Sequence, residues 1–171
     1  MFGIFKKKTG NTENITEATP QYNTAPGTEI RYAPDLIESL KSDHQDLLGL
    51  YGEILAAFDQ QDYTAVSEKL ETFKSGLQSH LLTENVRLYI YLDRCLANDA
   101  TNSDLIRGFR REMDEIAKVA MKFLNKYSAI GVDEDLAAHF AQDFATIGKV
   151  LGERIKKEET ILYPLYLPSY S

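Results

Sequence analysis

The chain has 171 residues, 43% of them hydrophobic and 26% charged, which suits one domain able to bury a sizeable core. Its 26 acidic side chains against 19 basic ones give a formal net charge of −7, which argues against a nucleic-acid-binding surface. A single cysteine, Cys95, excludes an intrachain disulfide and a cysteine-based zinc site, so the cytoplasm is the expected compartment, and no run is long and apolar enough to span a membrane.

The start, Met1 to Lys8, places its apolar residues ahead of its lysines and is too short for a signal peptide. Residues 9–34 are rich in Thr, Asn, Pro and Gly and lack apolar periodicity. Residues 1–34 are therefore expected to form a flexible leader, of which residues 1–30 are dispensable for folding. Pro34-Asp35 opens a helix, and residues 35–165 carry four amphipathic segments. The first, about 35–59, has the stripe Leu36, Leu40, Leu47, Tyr51, Ile54 and Phe58. The second, about 62–97, runs through Phe73, Leu77, Leu81, Leu88, Tyr91 and Cys95. Asn98-Asp99 is a break, and Ser103 is the expected N-cap of the third. That segment carries Leu105, Phe109, Ile116, Ala120, Phe123 and Tyr127, with Gly131 as its stop. The fourth, from about 133, carries Leu136, Phe140, Phe144, Ile147, Leu151, Ile161 and Leu162 up to Pro164. Strand alternation is scarce and the links are short. The expected fold is all-α, an up-down-up-down antiparallel four-helix bundle followed by a short tail, 166–171.

Polar residues interrupt these stripes. His44 stands four after Leu40 and three before Leu47, so it points inward. His80 follows Leu77 by three and precedes Glu84 by four, which stacks an imidazole and a carboxylate on one helix face. On the last helix the stripe passes through Arg154 and Glu158. Counted from one end of the bundle at about 1.5 Å per residue, these groups fall within a slab roughly two to three turns thick. Burying two carboxylates costs several kcal/mol each unless something compensates them. A metal ion is one compensation, since imidazole and carboxylate suit iron, manganese or zinc. An internal ion pair with Arg154 is another.

His44 in "SDHQDLL", His80 and Glu84 in "HLLTEN", and "RIKKEETILYP" at the end of the last helix resemble the hemerythrin-like family of HHE cation-binding bundles over residues 35–165. The resemblance implies a non-haem di-iron centre inside the bundle. It matches His44 and His80 to the histidines of one iron, and Glu84 and Glu158 to bridging carboxylates. The departures all fall on the other iron. Glu112-Met113 stands where the family has a helix-3 Glu-His, and Arg154 stands where it has a helix-4 histidine. The second-metal position is thus taken by a thioether, a poor ligand for iron, and a permanent cation. Arg154 is expected to satisfy both Glu84 and Glu158.

Two readings follow. In the first, His44, His80, Glu84 and Glu158 hold one non-haem iron or a similar ion, in a non-catalytic protein that senses or handles metal, O2 or nitric oxide. In the second, Arg154 has replaced the metal, no cofactor is bound, and the bundle is an interaction module for a protein partner. An enzyme activating O2 or peroxide at an open coordination position is a weaker third, because no nucleophile elbow, phosphate loop or paired Glu-x-x-His motif is present.

Overall fold

A computed structural model of the protein describes residues 23–169. The helices are α1 (Leu36–Asp59), α2 (Tyr63–Thr83), α3 (Ile90–Cys95), α4 (Ala100–Tyr127) and α5 (Ala137–Lys157). A π-helical turn, Glu84–Tyr89, carries α2 into α3 without a break, so the two form one rod. A second π turn, Glu158–Leu162, prolongs α5, and a 3-10 turn, Tyr163–Leu165, ends it at Pro164. The result is an all-α four-helix bundle of alternating direction, with no strand among the described residues. None of its helices is long and apolar enough to cross a membrane.

The links explain the alternation. Only Gln60 to Asp62 separate α1 from α2, and Gln61 takes a left-handed φ of 56° to close that turn. Asp62 caps α2 by accepting the Ala65 N–H at 3.1 Å. Asp99, rather than Ser103, caps α4, accepting the Asn102 N–H at 3.0 Å. α4 stops at Tyr127, ahead of the expected Gly131. That glycine instead lets the α4–α5 link approach α2, where a Cβ would meet Thr64 Cα at 3.3 Å.

Two apolar cores fill the bundle. One holds Leu47, Ile54, Phe73, Leu77, Phe123, Phe140 and Phe144. The other holds Leu36, Leu40, Leu88, Leu92, Ile106, Phe109 and Leu162. Between them each long rod passes through one polar layer. The buried polar and charged side chains of the described residues, His44, His80, Glu84, Arg154 and Glu158, all lie in it.

The stripes depart from expectation in two places. Ile161 is 45% exposed while Leu162 is fully buried, because the π turn shifts the inward face by one residue. In α4, Ile106 and Met113 lie inside, whereas Leu105 and Ile116 are half-buried. Residues 23–34, expected to be flexible, cover the end of the second core. Ala25 is fully buried, the Tyr32 ring stacks on Tyr166 at 4.8 Å, and the Ala33 N–H donates to the Tyr166 hydroxyl at 2.9 Å. The aromatic residues supply the apolar area that composition alone did not reveal. Residues 1–22 of the expected leader lie outside the described residues.

Candidate metal centre

The polar layer is assembled from three rods. α1 contributes His44, α2 and its π turn contribute His80 and Glu84, and the end of α5 contributes Arg154 and Glu158. The histidine Nε2 atoms face each other at 3.1 Å. His80 Nε2 lies 3.1 Å from Glu84 Oε1, and His44 Nε2 lies 3.0 Å from Glu158 Oε2. One donor atom from each residue lies within 4.8 Å of the other three. The shorter separations are those of neighbouring ligands around a small cation with bonds of about 2.0–2.2 Å. Glu84 Oε2 is buried with no hydrogen-bond partner, the condition of a carboxylate that still has a coordination site to fill. These residues fit a bound metal ion.

The outer nitrogen of His80 is also held. His80 Nδ1 lies 3.0 Å from the Asp43 carboxylate, so Nδ1–H donates there and directs Nε2 inward. His44 Nδ1, by contrast, is buried without a hydrogen-bond partner, the nearest carboxylate oxygen being Glu159 Oε1 at 3.5 Å. Burial pulls the His80 pKa down, but the Glu84, Asp43 and Glu158 carboxylates outweigh it and raise the group to about 9. Without metal, a proton on His80 thus stands where the cation would be. Burial opposes ionisation of Glu158, yet His44 and Arg154 keep its carboxyl below the usual range.

Arg154 is 2% exposed. Its Nε donates to Glu158 Oε1 at 2.6 Å, its Nη2 donates to the Tyr89 hydroxyl at 2.8 Å, and the guanidinium lies 4.7 Å from the Phe109 ring centroid. Arg154 therefore pairs with Glu158 alone of the two expected carboxylates. Glu84 is taken by His80 and by Tyr163, whose hydroxyl donates to Oε1 at 2.7 Å. The reason is reach, since Glu158 lies one turn along the same helix face from Arg154.

A pattern passed over in the sequence organises the layer. His80-x-x-x-Glu84-x-x-x-Leu88-Tyr89 recurs as Arg154-x-x-x-Glu158-x-x-x-Leu162-Tyr163. Each copy opens a π turn at its glutamate. In an α-helix, residues five apart diverge by about 140° around the axis. A turn closed by i→i+5 bonds, such as Tyr163 N–H to Glu158 O, returns the fifth residue to the glutamate's face. Both tyrosines are thereby buried in the centre. The flanking helices repeat as well: Asp43-His44 beside His80 corresponds to Glu112-Met113 beside Arg154, with Glu112 Oε2 3.9 Å from Arg154 Nη1. One half of the layer keeps two imidazoles. The other presents a thioether and a guanidinium. Tyr51 and Tyr91, two tyrosines of the apolar stripes, donate to the Phe144 and Leu167 carbonyls.

A cavity of about 120 Å³ opens against His44, His80, Glu158 and Arg154, with Leu47, Phe73, Leu151 and Met113 among its walls. Gly148 keeps its far side open to Tyr51, since a Cβ there would strike the phenol.

A helical bundle that buries converging histidines and glutamates in a polar layer between two apolar cores defines a cation-binding bundle. Residues 35–166 match the family model of the hemerythrin HHE cation-binding domain, and the chain belongs to that family. No curated protein and no solved structure matches it.

Proposed function

We propose that the protein binds a single non-haem iron, or a similar ion, through His44, His80, Glu84 and Glu158, and that it senses or handles metal, O2 or nitric oxide rather than catalysing a reaction. The observation that carries this reading is the convergence of four buried donor atoms on one point, with Glu84 Oε2 left unpaired. Its mononuclear character rests on the other half of the layer, where Arg154 supplies the positive charge of a second ion and Met113 offers only sulfur. The cavity beside the histidines is mostly apolar and has room for a diatomic molecule, a water taking about 30 Å³ of liquid. When bound, iron would supply redox and ligand-binding chemistry. The chain orients the His80 imidazole through Asp43 and holds a compensating cation on Glu158.

A second reading, a metal-free interaction module, is favoured by the charge balance of the layer. Protonated His80 and Arg154 offset Glu84 and Glu158 without an ion. Elemental analysis of protein purified without chelator separates the two. Stoichiometric transition metal, lost in His80→Ala, supports the first, and metal-free protein that refuses reconstitution supports the second.

A further inference from the structure

The structure assigns the Tyr163 hydroxyl oxygen as a fifth protein ligand to ferric iron in this centre, an assignment that rests on the metal-binding reading above. Tyr163 Oη lies 2.7 Å from Glu84 Oε1, 3.2 Å from His44 Nε2 and 3.4 Å from Glu158 Oε2. It therefore belongs to the same knot of donor atoms as the histidines and glutamates. The ring is 2% exposed and lies nearly parallel to His44, with centroids 5.7 Å apart and planes at 10°. It has no room to swing away to solvent.

The repeated pattern gives an independent argument. Each π turn delivers its tyrosine across the layer to the opposite half. Tyr89, from the half with the histidines, offers its oxygen to the Arg154 guanidinium at 2.8 Å. Tyr163, from the half with Arg154, offers its oxygen to the His44 and Glu84 side. The first phenol addresses the cation its half faces. The second stands in the equivalent place, where the corresponding cation is the metal.

Charge points the same way. With ferric iron bound and His80 neutral, the layer holds the ion and Arg154 against the Glu84 and Glu158 carboxylates, leaving an excess of buried positive charge. A phenolate reduces that excess, and tyrosinate is an established axial ligand of ferric haem. As the Fe–O bond forms, the phenol O–H bond breaks and its proton leaves to water. No electron is transferred. In the metal-free protein the same hydroxyl keeps its proton and donates it to Glu84.

The test loads the full chain with ferrous iron in the absence of oxygen, oxidises it with ferricyanide and removes the oxidant by desalting. Visible absorption, resonance Raman and iron content are then read on one sample. The expected result is a phenolate-to-ferric charge-transfer band with tyrosinate ring vibrations, lost in Tyr163→Phe and kept in Tyr89→Phe. Iron bound at one per chain without the band in the wild-type protein overturns the assignment but leaves the metal site standing. So does a band that survives Tyr163→Phe or disappears in Tyr89→Phe. A wild-type chain that binds no iron overturns the metal-binding reading and this one together. The wild-type spectrum and the Tyr89→Phe control decide the matter even where Tyr163→Phe folds poorly.

Discussion

Arg154 and Glu158 lie four residues apart on one helix and meet at 2.6 Å, both 2% exposed, inside the layer that separates the two cores. Each is the compensation for the other's burial. Removing one partner of such a pair leaves an uncompensated buried charge. Arg154→Ala is expected to cost about 3–5 kcal/mol in the metal-free protein, because Glu158 loses its donor and Tyr89 its partner. Chemical denaturation of wild type and variant gives the number. A loss below about 1 kcal/mol contradicts the role given to the ion pair.

Met113→His with Arg154→His makes the second half of the layer resemble the first. The double variant is expected to bind ferrous iron more tightly and to take up a second equivalent, since both imidazoles would face Glu158 and the cavity. Isothermal titration under anaerobic conditions reads both quantities. An unchanged stoichiometry with unchanged affinity argues that the second position is closed for reasons other than these two side chains.

His80 sets the pH response of the metal-free protein. Its folded pKa of about 9 lies above the ordinary imidazole value of 6.5, so the stability it contributes is fully present below about pH 6.5. That contribution is lost as pH rises through about 9. The melting temperature of metal-free protein should therefore fall between these limits, and His80→Gln should flatten the profile. Because the ion must displace the His80 proton, metal affinity should rise over the same window. A melting temperature that climbs across it would refute the assignment of the proton.

The four converging side chains were legible in the sequence because their helices keep the 3.6-residue period up to His80 and Arg154. Beyond each glutamate the period fails. The π turns at Glu84–Tyr89 and Glu158–Leu162 move the inward face by one residue, so a regular α-helical count puts Ile161 in the core and misses Tyr89 and Tyr163. The repeated Glu-x-x-x-Leu-Tyr is the signal in the sequence that marks them. Asp43, adjacent to the inward His44, is not marked by the pattern, because reach to the outer nitrogen of His80 leaves no trace in periodicity. The Tyr32 stack on Tyr166 is long-range, between a segment with no stripe and a tail beyond the last helix, and local pattern says nothing of it.

That end of the molecule offers its own test. A chain beginning at Pro34 loses Ala25 and Tyr32 from the second core and leaves the Tyr166 hydroxyl without the Ala33 N–H. Compared with one beginning at Asn23, it should be less stable by about 1–3 kcal/mol, several degrees in melting temperature. Equal melting temperatures would show that the segment contributes nothing to folding.

In the proposed centre one half of the layer holds a metal and the other holds Arg154 in its place. Anaerobic titration of metal-free protein with ferrous iron, followed by measurement of iron per chain after desalting, tests it most directly. Saturation is expected at one iron per chain, abolished when His44 and His80 are both replaced by alanine. Two tightly held irons per chain, or none at all in a correctly folded protein, would contradict it.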